Sequence, residues 1–147
     1  MSFILRFLLI FAAYSFSASF VHVQENDVNQ DSVMAVMKSK TTKEFLFSFD
    51  VKGGDVFLFL EQKNQCYYFL KLKEFKKQLA SLNIQDPRVV FVKNHSEQCD
   101  DGQEIEVKFQ GVIKNFCYQG PLGKQLLNFK NEIKKSLNHS QCFTEKN

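Results

Sequence analysis

Four cysteines, at positions 66, 99, 117 and 142, constrain this chain of 147 residues more than any other feature. An even number of cysteines behind an export signal predicts two disulfides. Two cross-links in a small domain then dictate which distant segments lie side by side. The export signal itself is read over residues 1–18. A short start carries Arg6, an apolar run follows from Phe7 to Ala13, and Ser15, Ser17, Ala18 and Ser19 supply the small residues of a cleavage site near Ala18 or Ser19. The apolar run is short for a membrane-spanning helix, which needs about 20 residues. A cleaved signal is therefore preferred to a retained anchor, and a secreted, extracellular protein with no transmembrane segment in the mature chain is expected.

The remaining residues, about 129, make one domain with a modest core. Without Arg6, 18 basic side chains face 16 acidic ones. They are interspersed, which is no nucleic-acid footprint. Asn94-His95-Ser96 and Asn138-His139-Ser140 have the form of glycosylation acceptors.

Along the chain, residues 19–42 form an N-terminal segment in which Val33, Val36 and Met37 predict a short helix within Val28–Lys38. Phe45–Val51 and Val56–Leu60 read as strands joined at Gly53-Gly54-Asp55, and Cys66–Leu72 as a third strand after a turn at Gln62–Gln65. Phe75, Leu79 and Leu82 share one helical face over Lys73–Leu82. Asp86-Pro87 ends that segment, and Arg88–Val92 predicts a fourth strand. Ile105, Val107 and Phe109 alternate with polar residues as in a strand with one wet face, whereas Val112–Phe116 is either helical or extended. Leu126, Phe129, Ile133 and Leu137 stripe a terminal helix over 122–137. Strand alternation places Phe45, Phe47 and Phe49 on one side and Phe57 and Phe59 on one side of the next strand. Strands apolar on both faces ask for cover on both. The expected fold is α+β, a small antiparallel or mixed sheet of about five strands with helices packed on its two faces.

Four cysteines allow three pairings. A helix over 121–138 would separate its ends by about 27 Å, against the roughly 7 Å a disulfide permits. That disfavours Cys117 with Cys142. Cys99 lies in a loop between two strands and Cys117 well down the chain from it, which disfavours that pair. The pairing expected is Cys66–Cys117 with Cys99–Cys142.

Asp50 stands sixteen positions before Cys66, in a run otherwise made for a strand. A strand, a short leucine-bearing helix, another strand and a loop follow, and then Ile113-Lys114-Asn115-Phe116-Cys117-Tyr118-Gln119-Gly120-Pro121. This order resembles the BRICHOS domain family over residues 43–125, with 126–147 as a C-terminal helix and tail. A cleaved signal is similar to the gastrokine-like members. The resemblance implies that Asp50, Cys66 and Cys117 are the hallmark acid and disulfide pair. It also implies chaperone-like work on extended, aggregation-prone, β-prone peptide segments. Phe45, Phe47, Phe49, Phe57 and Phe59 are then the candidates for the client face, weighed against a plain core role. Asp50 is read either as a plain strand-end acid beside the Val51-Lys52-Gly53-Gly54 turn or, as the family's acid, as partly buried with a raised pKa that links pH to an opening or association step. Self-association into a homo-oligomer is compatible with this reading.

Two other functions remain open. One is a secreted signalling or mucosal-protection factor binding a receptor or glycan. The other is a cystatin-like protease inhibitor with a helix ahead of a meander and Gly53-Gly54 as an inserting turn. No enzyme is expected: His22, His95 and His139 stand beside no plausible nucleophile. No cysteines have the close spacing of a zinc site, Asp100-Asp101-Gly102 lacks the ligand series of a calcium loop, and no cofactor is implied. Glu104 and Glu106 read as a solvated strand face. The cluster of Lys71, Lys73, Lys76 and Lys77 reads first as a solvated helix face, with anion or membrane-surface binding as the lesser reading.

Overall fold

The computed structural model describes residues 32–61, 66–137 and 141–144. The export signal, the Gln62–Gln65 turn and Asn138 lie outside the described residues. In chain order the elements are β1 (Val33–Lys38), β2 (Lys43–Lys52), β3 (Asp55–Phe59), β4 (Cys66–Lys71), α1 (Leu72–Ser81), α2 (Pro87–Lys93), β5 (Glu104–Phe109), β6 (Val112–Cys117), α3 (Pro121–Ser136) and β7 (Phe143–Thr144). The strands form one open antiparallel sheet in the order β6-β5-β1-β2-β3-β4-β7. The α+β expectation holds, with seven strands rather than about five.

All three described helices lie on one face, which corrects the expectation of helices on both. The apolar stripes of α1 and α3 meet the same phenylalanines of β2. The Phe129 ring lies 4.7 Å from Phe47 and 5.9 Å from Phe49, and the Phe75 ring lies 5.5 Å from Phe49. On α2, the Phe91 ring sets its edge against Phe109 of β5 at 5.5 Å. Val33, Ala35, Val56, Leu58, Ile105, Val107 and Phe116 complete the strand side of this core. Since β1 and α3 both contribute to it, one packed core runs from Val33 to Leu137.

Two elements differ from the sequence reading. The segment expected as a helix within Val28–Lys38 is, in its described part, strand β1 at the centre of the sheet between β2 and β5. Val33 and Ala35 face the core while Val36 closes over on the opposite face, buried but outside the core cluster. Apolar residues on both faces thus hide the two-residue period. Arg88–Val92, expected as a strand, is the helix α2. The Asp86 carboxylate accepts the Arg88 backbone N–H at 2.9 Å and Pro87 occupies the first helical turn, so an N-cap and a preset φ override the β-branched run. Lys114 closes the other end, donating from Nζ to the carbonyl oxygens of Phe91 (2.7 Å) and Asn94 (2.9 Å).

The hairpins explain the remaining register. Gly53 and Gly54 take φ of 56° and 87°, and Gln110-Gly111 take 50° and 76°, the positive angles that two-residue hairpin turns demand. The second turn settles Val112–Phe116 as extended. It also folds β6 back along β5 until Cys117 faces Glu104.

Candidate functional site

The two disulfides are Cys66–Cys142 and Cys99–Cys117, which overturns the expected Cys66–Cys117 and Cys99–Cys142. The physical reason is the β5–β6 hairpin. It returns Cys117 to the start of β5, within reach of Cys99, a closeness that distance along the chain conceals. Meanwhile α3 carries the chain from β6 across the sheet towards β4. Its Lys134 meets Glu61, just past the end of β3, and the following segment pairs with β4 as β7. A hallmark bond between Cys66 and Cys117 is therefore not made.

Each disulfide ties an edge strand to the segment that covers it. On β6, the Asn115 N–H donates to Ser96 Oγ (2.8 Å), the Glu97 N–H to the Asn115 carbonyl (2.8 Å), and the Cys117 N–H to Glu97 Oε2 (2.6 Å). That edge is closed along most of its length. On β4 the cover is short, because β7 pairs only with Cys66 and Tyr67. Beyond Tyr67 the outer main chain of β4 has no strand partner among the described residues.

The face turned away from the helices is built by register. Residues directly opposite on paired strands share a face, so Asp50 groups with Phe57, Phe57 with Phe69, and Tyr67 with Phe143. The rings interlock: Phe57 lies 5.4 Å from Phe69 and 5.8 Å from Tyr67, Phe59 lies 5.7 Å from Tyr67, and Tyr67 lies 5.9 Å from Phe143. Phe69 is 42% exposed and Phe143 44%, while Phe57, Phe59 and Tyr67 are half-buried by their neighbours. No described helix lies over them. The Lys71 ammonium sits 5.2 Å from the centre of the Phe69 ring and forms an ion pair with Asp55 at 2.5 Å, which marks the lower border. The other half of this face, over β1 and β5, is charged, with Lys38 paired to Glu106 across the two strands.

The five candidate client-face phenylalanines divide. Phe47 and Phe49 are fully buried under the helices and belong to the core. Phe57 and Phe59 lie in the uncovered aromatic cluster. Phe45 is separated from Phe47 by a β-bulge: Ala35 pairs with Phe47 and Val36 with Phe45, leaving Leu46 as the extra residue. Phe45 thus joins Val36 on the uncovered face. Sequence reasoning missed Tyr67, Phe69 and Phe143. The alternation Tyr67, Phe69, Lys71 was a legible signal for the first two; Phe143 is placed by its disulfide neighbour.

Asp50 lies on the uncovered face, half-buried, and accepts the Ser32 hydroxyl at 2.6 Å. Asn94 is the residue after α2, and its side-chain amide donates to the Val90 carbonyl at 2.8 Å. Among the described residues no group of three or more His, Cys, Asp and Glu is gathered as a metal site would need, and no helix is long and apolar enough to cross a membrane. Comparison with protein-family models, with curated proteins and with solved structures gave no match.

Proposed function

We propose that this protein is a secreted binding module that holds extended, apolar, β-prone polypeptide segments on its uncovered aromatic face, with chaperone-like consequences for their aggregation. The observation that carries this reading is the cluster of Phe57, Phe59, Tyr67, Phe69 and Phe143 at one end of a sheet whose described helices all lie on the other side. Contiguous exposed apolar surface of this kind marks interaction sites. The chemistry of the occupant is suggested by β7. That strand runs along β4, pairs its main chain there and lays the Phe143 ring against Tyr67. It is a two-residue sample of strand addition, in which the main chain gives affinity and alternate side chains give selectivity. Two disulfides fit an oxidising compartment, in keeping with export.

This reading rests on the face itself. The BRICHOS resemblance points to the same activity, but its hallmark sulfur pairing is not the one made. A glycan is less favoured as the occupant, since four of the five rings are phenylalanine and offer no hydroxyl to a sugar. The inhibitor alternative wants a helix ahead of the meander, and the described part of the segment read as that helix is strand β1. The test is fibril formation by an apolar β-prone peptide, followed by dye fluorescence. The wild-type protein should lengthen the lag at substoichiometric amounts, and the Phe69→Ser/Phe143→Ser variant should lose most of that effect. A wild-type protein without influence on the lag, or a variant as effective as wild type, would defeat the reading.

A further inference from the structure

The charge of this molecule is divided between its two layers. The helices α1, α2 and α3 carry nine basic side chains against two acidic ones, Glu74 and Glu132. The strands carry six basic against five acidic. Nearly all the positive excess of these elements thus sits on the face opposite the aromatic cluster. The helices form one layer, since α1 and α3 touch through the Phe75 and Phe129 rings at 6.3 Å and α2 packs on α3. Lys73, Lys76 and Lys77 stand on the outer side of α1, exposed, at the i, i+3, i+4 spacing that gathers them on one stripe. Lys93 and Lys124 are exposed on the neighbouring helices, and none of these five has a carboxylate within ion-pair distance among the described residues.

We infer that the helix layer is a docking surface for a linear sulfated polysaccharide of the extracellular matrix. Five unpaired ammonium groups spread over three helices match an extended chain of point charges better than one small anion. Such an array raises the local concentration of a polyanion and steers it to the surface. The same layer is poorly suited to the other extended anions. A membrane-surface helix keeps an apolar face free for the acyl boundary, but here those faces are spent on the core: Phe75 and Leu79 on α1, and Leu126, Phe129 and Ile133 on α3. Val92 is the one large apolar side chain exposed on a described helix. Single-stranded nucleic acid is held by aromatic stacking as well as charge, and every exposed large aromatic of the described residues lies on the sheet.

The experiment compares the purified, disulfide-bonded protein with its Lys73→Gln/Lys76→Gln/Lys77→Gln variant. Heparin is the probe, with phosphatidylserine vesicles and a single-stranded oligonucleotide alongside. The wild type should bind heparin in a salt-dependent manner. The variant should bind about tenfold more weakly, with a salt slope shallower by up to roughly 3, because each ammonium group that engages the polyanion releases nearly one condensed counterion. Exposed Lys→Gln changes on a helix preserve its propensity, so an unchanged thermal melt confirms the fold. The Phe69→Ser/Phe143→Ser variant should bind heparin as wild type does, which separates this inference from the proposed peptide site. Absent heparin binding, equal binding by the lysine variant, weakened binding by the phenylalanine variant, or stronger binding to vesicles or oligonucleotide would each overturn it.

Discussion

The two faces of the sheet spend the same residue type in opposite ways. Phe47 and Phe49 of β2 lie under Phe75 and Phe129 and are closed to solvent. Phe57 and Phe69 on the neighbouring strands touch one another at 5.4 Å with no described helix above them. Ring-to-ring contact is available on both faces, so aromatic packing alone does not define a core. The difference lies in the second layer, which removes the remaining ring surface from water and contributes about 25 cal/mol for each Å² so removed. A ring without that layer keeps its unsatisfied apolar area for something else.

The largest test of this contrast is Phe47→Ala. Deleting a closed ring should cost about 3–5 kcal/mol, and a denaturant melt should show it as a lowered midpoint. The Cys66→Ser/Cys142→Ser pair comes next. It opens a loop with a sequence separation of 76 residues, worth about 4.5 kcal/mol at most in the chain-entropy model. The same variant should free β7, seen as faster hydrogen exchange at Tyr67. On the uncovered face, Phe69→Ser should shift stability by no more than about 0.5 kcal/mol. If it destabilises as Phe47→Ala does, the face is covered after all and the contrast fails. The smallest effect is expected of Glu61→Gln. Donation from the Lys134 ammonium, with Lys130 nearby, holds the Glu61 carboxyl below its usual range against a slight opposing effect of burial. A lowered carboxylate stabilises above its unfolded pKa, and that contribution fades as pH falls through the folded one. The pair is solvent-exposed, so it should be worth a few tenths of a kcal/mol at neutral pH. The gap between wild type and variant should then shrink in acid.

Much of the covered face was legible. Phe75 with Leu79, and Leu126 with Phe129 and Ile133, recur at the helical period, and Ile105, Val107 and Phe109 at the strand period. The failures have definite causes. The bulge at Leu46 is one surplus residue that strict alternation steps over, so Phe45 was grouped with residues it does not accompany. In α2 the side chain of Asp86 and the ring of Pro87 outweigh the local β preference of Val89, Val90 and Val92. The disulfide pairing was hidden because hairpin geometry overrides sequence distance. The uncovered face was half visible: its strands could be read, but which side the helices would choose is decided only by packing.

One consequence concerns the rims of the sheet. A protein with an apolar pleated surface risks assembling with its own copies, because exposed strand rims recruit further strands. Here a covalent clasp sits at each rim, drawing the 96–99 segment against β6 and β7 against β4. Where these flaps lie, stacking one molecule onto the next would require prying them away. The stretch of β4 beyond Tyr67 keeps its outer main chain free of a strand partner among the described residues, so ribbon growth is blocked at the clasped stretches and not along the whole rim.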